Sequence, residues 1–278
     1  MQMCFNRSDL RIVGIKMRKN PIGKDNILEV CDVTLAFGGT VAIDTFSFSV
    51  ERGSICSLIG PNGAGKSSIL NVVNGVYVPN AGSIKFNNQQ YRRMQPLKVA
   101  SMGIGRTFQH NALFGKMTVL DNVMTGLSRK ALSTVPEIIF KLPRARNEAS
   151  SFLRKARETI SFLELNEFEA VAVENLPYGV QKRVGLARAL VSEPNLLLLD
   201  EPMAGMNKEE KREMSDYITD INRKLSTTIV LIEHDISVVM ELSDHVVVLD
   251  YGRKISDGDP NIVKDDPEVI SAYLGVGL

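Results

Sequence analysis

Apolar and polar residues alternate along Ile27-Leu28-Glu29-Val30-Cys31-Asp32-Val33 and again along Phe46-Ser47-Phe48-Ser49-Val50, the period of half-buried strands. Phe37-Gly38-Gly39 and Glu51-Arg52-Gly53 supply turns between and after them. Four short runs are apolar almost without interruption: Ile55 to Ile59, Leu196 to Leu199, Thr228 to Ile232 and Val246 to Leu249. Runs of that length predict strands buried on both faces, as in a parallel sheet covered by helices. Between them the period lengthens. A helix is predicted from about Gly65, with Ile69, Leu70, Val72 and Val73 as its apolar positions. Further helices are predicted at 118–130, at 145–165 (Phe152, Leu153, Ala156, Ile160 and Leu163 on one face), up to about Val191, at 208–225, and briefly after Asp235. Pro79 to Gly82 makes a turn before a short strand at Ser83 to Phe86.

The alternation of strands and helices predicts an α/β fold with a mainly parallel core sheet. The amino-terminal strands form an antiparallel β part, and strand signals fade over 90–190, which reads as a helical subdomain inserted into the core. Residues 1–25 are polar, basic and aperiodic, and are expected to be a flexible tail; 26–278 then form a single domain. Lys141 to Arg146, interrupted by Pro143, reads as a solvated basic connector.

Composition narrows the function. The chain has 278 residues, 44% of them hydrophobic, and a net charge of +1, so no overall basic field points to nucleic acid. Three cysteines, Cys4, Cys31 and Cys56, are too far apart for a metal site and odd in number for a disulfide framework, which suits a reducing compartment. No apolar run is long enough for a transmembrane segment or a signal peptide, so the expected location is cytoplasmic.

The chemistry concentrates after the first buried run. Gly60-Pro61-Asn62-Gly63-Ala64-Gly65-Lys66-Ser67-Ser68 is a P-loop between a strand and a helix. Its glycines let backbone amides turn inward to cradle phosphate oxygens at a helix start, Lys66 can reach the β- and γ-phosphates, and the Ser67 hydroxyl can ligate Mg²⁺. Leu196 to Leu199 ends in Asp200-Glu201, a buried strand that delivers carboxylates to the sheet's carboxyl edge. Asp200 is expected to hold Mg²⁺, directly or through water, and Glu201 can orient and deprotonate an attacking water. His234 closes the run at 228–232 and can hydrogen-bond a γ-phosphate. Gln109 can touch the metal or the water through its amide. The segment Pro177-Tyr178-Gly179-Val180-Gln181 opens a helix whose amide donors and dipole favour an anion, with Gly179 permitting close approach. His110 and His245 have no such context.

The order of these motifs resembles that of ABC transporter ATPases over about residues 27–275. The resemblance implies a P-loop NTPase ABC cassette that binds ATP and Mg²⁺, hydrolyses ATP, and closes as a head-to-tail dimer. Each ATP is then held between one P-loop and the signature segment, Tyr178 to Gln181 here, of the other subunit. Phe37 falls where the family keeps an aromatic that stacks on adenine. Two departures from the general pattern narrow the resemblance: Tyr178 stands where the signature has a short serine, and Asn207 where a dimer-contact aspartate is expected. Both are similar to the ATP-binding subunits of branched-chain amino acid importers, of the LivG type. So are Gly105 to His110, the extra length at about 128–150, and the ending Ala272-Tyr273-Leu274-Gly275. That likeness implies two membrane permease subunits, a second related ATPase, an extracytoplasmic solute-binding protein acting indirectly, and a peripheral place on the cytoplasmic face of the inner membrane. The alternatives are an ATPase of lipopolysaccharide export, a non-transport ABC ATPase acting on ribosomes or DNA, and a P-loop small-molecule kinase. The third would need neither Gln109, the signature segment nor His234.

Overall fold

In the computed structural model, which describes residues 25–107, 112–140 and 142–274, the unbroken apolar runs become the middle of one sheet. The elements in chain order are β1 (Asn26–Phe37), β2 (Thr40–Glu51), β3 (Ile55–Ile59), α1 (Lys66–Val73), β4 (Ala81–Phe86), β5 (Gln89–Tyr91), α2 (Pro96–Ser101) and β6 (Ile104–Arg106). Then come α3 (Val119–Thr125), α4 (Val135–Ile139), α5 (Pro143–Phe162), α6 (Tyr178–Leu190), β7 (Leu196–Asp200), α7 (Lys208–Leu225) and β8 (Thr228–Ile232). The chain continues through α8 (Ile236–Leu242), β9 (His245–Asp250), β10 (Arg253–Gly258), α9 (Pro260–Val263) and α10 (Pro267–Leu274).

Two sheets result. The first is antiparallel, in the order β2-β1-β4-β5; the second runs β10-β9-β3-β8-β7-β6 and is parallel from β9 to β6, with β10 antiparallel at its edge. Every residue of β3, β7 and β8 is buried, as the continuous runs require. Their alternate side chains serve different cores. Leu58, Leu198 and Val230 face the layer of β1, β2, β4 and α1, whereas Leu197, Leu199, Ile229 and Leu231 pack with α3, α5, α6 and α7. Cutting one of these leucines to alanine should cost about 2–5 kcal/mol, because so little room exists for relaxation.

The alternating strand at 27–33 continues to Phe37. Asp32, at φ 47, forms a bulge that shifts the register between Val30 and Val33, so Val33 and Leu35 remain on the buried face. A two-residue Gly38-Gly39 turn pairs Phe37 with Thr40 and starts β2 six residues before the clean alternation at Phe46.

Between β6 and β7 the described chain is helical. Thr118 caps α3 through a hydrogen bond from the Asp121 amide, and Pro143 opens the 20-residue α5 as its first helical residue rather than interrupting a connector. Ala156, Ile160 and Leu163 are the buried stripe of this region. Because β3, β8, β7 and β6 are parallel, their carboxyl ends lie on one edge, which is where the sequence places the P-loop, His234, Asp200 and Arg106.

Candidate functional site

β3 ends at Gly60, the loop turns through Gly65, and α1 starts at Lys66. Gly60 has φ 146 and its Cα faces the Leu249 carbonyl, so a side chain there would collide with backbone. Gly65, at φ 106, would drive a Cβ to 2.6 Å from Ile43 Cδ1 and 2.7 Å from the Ala42 carbonyl oxygen. The loop is thus pressed against the antiparallel layer and needs glycine at both ends. Lys66 Nζ donates to the carbonyls of Gly60 at 2.7 Å and Pro61 at 2.8 Å, which holds the ammonium over the loop. Burial pulls this lysine below its ordinary range, against the opposing pull of the Glu201 and Asp200 carboxylates.

Asp200, at the end of β7, meets that loop. Ser67 Oγ donates to its Oδ1 at 3.4 Å, and Arg106 Nη2 to its Oδ2 at 3.0 Å. Arg106 Nη1 also donates to Asn71 Oδ1 at 2.6 Å, tying β6 to α1 and β7 through one guanidinium. Ser67 and Asp200 together present a hydroxyl and a carboxylate. Among the described residues no group of three or more His, Cys, Asp and Glu could hold a metal by itself. A single carboxylate and a hydroxyl beside a phosphate cradle fit Mg²⁺, which takes few protein oxygens and fills its sphere with phosphate and water.

Glu201 follows with φ 49, a left-handed conformation held by its amide donating to the Ile232 carbonyl at 3.0 Å. Its Oε1 lies 2.6 Å from His234 Nε2, so the predicted base and the predicted histidine are joined. Glu233 lies beneath them, 4% exposed, and accepts from the Met203 amide at 2.8 Å and the His234 amide at 3.3 Å. Burial raises this carboxyl above the usual carboxylate range, opposed by those two amides. It ties the loop after Glu201 to the backbone of His234. Sequence reasoning missed both Arg106 and Glu233. Their signal was position alone: each is charged and lies within one residue of the end of a core strand.

Phe37 is 49% exposed at the hairpin end, with the Tyr77 ring edge-on at a centroid distance of 5.1 Å. The pair makes an exposed aromatic edge. Gln109 lies outside the described residues. The chain leading to it is anchored at Thr107, whose hydroxyl accepts from the Asp200 amide at 3.3 Å.

The signature segment is held by its own neighbours in the chain. Gln181 Nε2 donates to the Leu176 carbonyl at 2.9 Å, Val180 is buried, and Tyr178 is half exposed with Lys182 Nζ 5.5 Å from its ring centroid. A Cβ on Gly179 would lie 2.5 Å from Glu210 Oε1, so a larger residue there would have to displace a carboxylate of this same chain. Glu210 in turn is fixed by a capping box: its carboxylate accepts from the Asn207 amide at 2.9 Å, while Asn207 Oδ1 accepts from the Glu210 amide at 3.0 Å. Asn207 therefore has a local use as the amino-terminal cap of α7. A groove of about 490 Å³ lined by Lys155, Phe162, Glu193 and Thr227 opens at the opposite edge of the sheet and contains none of the predicted groups.

Comparison with known proteins shows the family and the fold. Residues 43–204 match the family described as ABC transporter, and residues 253–278 that described as branched-chain amino acid ATP-binding cassette transporter. The chain is 36% identical over 249 residues to the high-affinity branched-chain amino acid transport ATP-binding protein BraF of Pseudomonas aeruginosa, covering 90% of this chain and 98% of that one. Identity and coverage are the same for LivG of Escherichia coli K12. A probable sulfate/thiosulfate import ATP-binding protein of Chlorella vulgaris is 32% identical, over 88% of this chain and 97% of its own length. Among solved structures, a nucleotide-free ATP-binding cassette from an ABC transporter superposes with a TM-score of 0.79 at 29% identity, covering 91% of this chain and all of that one. An ADP conformation of such a cassette gives 0.79 at 30% identity, covering 90% and 99%.

Proposed function

This chain belongs to the ABC transporter family of ATPases, and from that premise we propose that it is the ATP-hydrolysing motor of an importer for branched-chain amino acids or closely related small solutes. The observation that carries the catalytic part is the convergence of Lys66, Ser67, Asp200, Glu201 and His234 on one edge of a parallel sheet. The solute class rests on the relatives and on the match of residues 253–278, since a sulfate importer's subunit is nearly as similar overall.

Residues 60–68 cradle the phosphates of ATP, with amides turned inward and the Lys66 ammonium set against the β- and γ-phosphates. Phe37 packs against the adenine. Ser67 and Asp200 would hold Mg²⁺, which when bound neutralises phosphate charge, and the Gln109 amide would serve the metal or the attacking water. Glu201 takes a proton from water as the water oxygen bonds to the γ-phosphorus; the bond from that phosphorus to the bridging oxygen breaks, leaving ADP and inorganic phosphate. His234 orients Glu201 through their 2.6 Å contact, and its one N–H would turn to the γ-phosphate when ATP is bound.

The second half of the site comes from another subunit. Tyr178 to Gln181 form an anion-favouring helix start that this chain binds to Leu176, Gly205 and Glu210 rather than to its own P-loop. Closure against a second related ATPase brings one subunit's signature to the other's γ-phosphate, and the helical region passes the movement to two membrane permease subunits. The peripheral location on the cytoplasmic membrane face follows from them. The test is Glu201→Gln, which keeps shape but removes the base. Steady-state phosphate release should fall by roughly 10²–10⁴ while binding of a fluorescent ATP analogue is retained; unchanged turnover would place the base elsewhere.

A further inference from the structure

The segment between α3 and α5 breaks the rule that helices bury their apolar face. In α4, Val135, Ile138 and Ile139 share one side at i, i+3 and i+4, yet none of its residues is buried. Leu132 is 71% exposed, Val135 69%, Ile138 57%, Ile139 68% and Phe140 75%. Large apolar side chains so close together form a contiguous patch, not the scattered singles of an ordinary surface. The backbone beneath them is well held. The Glu148 carboxylate accepts from the amides of Leu132 at 2.7 Å and Ser133 at 3.1 Å, and a capping box joins Thr134 to Glu137. The patch is therefore presented by a fixed scaffold.

Its rim is cationic. Arg129, Lys130, Arg144 and Arg146 are exposed on either side of the apolar residues. Glu137, the one carboxylate between Arg129 and Arg146, is turned back onto Thr134 and lies 3.6 Å from Arg144; Lys130 lies 3.7 Å from Glu193. We propose that α4 and its basic flanks form a membrane-surface contact that dips Ile138, Ile139 and Phe140 into the headgroup boundary of an anionic bilayer.

Two features favour lipid over a protein groove. The apolar side chains stand on one short helix, and the polar groups among them, Thr134 and Glu137, are turned onto each other and onto Arg144 rather than left to fix a partner's register. Charges of one sign flank them on both sides, which complements a uniformly anionic surface rather than a mixed protein one. Among the described residues no helix is long and apolar enough to cross a membrane, so the contact is shallow. It concerns a surface distinct from the nucleotide site, and vesicle binding is read without nucleotide.

The chain contains no tryptophan, so Phe140→Trp in the full chain installs a single local probe. It is titrated with vesicles of phosphatidylcholine alone and of phosphatidylcholine with phosphatidylglycerol. The proposal expects a blue shift of emission and quenching by brominated acyl chains with the anionic vesicles, weakened by salt. Adding Ile139→Asp should weaken vesicle binding about tenfold or more; Arg129→Gln with Arg146→Gln should reduce binding to anionic vesicles only. Retained ATP-analogue binding shows that each variant is folded. Unshifted, unquenched emission overturns the proposal even if vesicles sediment the chain, because the basic residues before Asp25 would then be the contact. It is also overturned if Ile139→Asp leaves vesicle binding intact but weakens association with permease subunits, which would give the patch to a protein.

Discussion

Replacing Arg106 by glutamine removes the guanidinium that is hydrogen-bonded to Asp200. The guanidinium lies 3.0 Å from the Asp200 carboxylate, and the two side chains are only 7% and 3% exposed. Taking away one partner of a buried pair leaves the other charge uncompensated, which costs about 3–5 kcal/mol. The lower end applies here, because the Ser67 hydroxyl remains on Asp200 Oδ1 and a glutamine amide can still donate one hydrogen bond. At about 2–4 °C per kcal/mol for chains of roughly this size, Arg106→Gln should lower the melting temperature by roughly 6–12 °C. Circular dichroism melts with and without Mg²⁺ and ADP give a second, sharper readout. A divalent cation restores positive charge beside Asp200, so nucleotide with Mg²⁺ should raise the variant's melting temperature more than the parent's. A variant melting within about 2 °C of the parent, or a deficit that Mg²⁺ and ADP leave unchanged, would refute the reasoning that Arg106 compensates a carboxylate waiting for a metal.

Two further outcomes follow from the same contacts. Hydrogen bonds from Lys211, at 2.7 Å, and then from Ser237 hold the Asp235 carboxyl at about 2. A carboxylate held below its ordinary value stabilises the fold above about pH 4 and loses that effect as pH falls toward 2. Asp235→Asn should therefore cost about 1 kcal/mol at neutral pH, after discounting for partial exposure; urea midpoints should show the gap to the parent narrowing in acid, and a gap constant with pH would sink the assignment. Separately, a chain beginning at Asp25 should keep its ATPase activity, since the first strand of the sheet, Asn26–Phe37, is then intact and Asp25 itself pairs with Arg52 at 3.2 Å. Precipitation or lost turnover of that shortened chain would make residues 1–24 part of the working unit.

What could be read in the sequence was whatever is encoded locally. The P-loop, the buried run into Asp200-Glu201 and the helix opening at Tyr178 are each a few consecutive residues whose spacing fixes backbone and chemistry together. Joining Glu201 to His234 required only that both runs be parallel strands of one sheet. Arg106 escaped because its meaning comes from pairing of β6 with β7, 92 residues apart in the chain, through a strand of three residues with almost no periodic signal. Glu233 escaped because next to His234 it reads as one more polar residue, and only burial reveals it. The close fit of Gly179 against Glu210 was likewise invisible, as was the outward face of α4: a hydrophobic pattern reveals which residues share a side, not whether that side meets a core.

The head-to-tail closure is the central claim, and mass in solution tests it most directly. The Glu201→Gln chain, which should bind ATP without consuming it, is measured alone and with the proposed second ATPase, and mass is determined with Mg²⁺ and ATP and again with Mg²⁺ and ADP. The account predicts a species of two cassettes with ATP that returns to single chains with ADP. Stoichiometric ATP binding with every species at the mass of one cassette would contradict it, because Tyr178 to Gln181 would then have no γ-phosphate to meet.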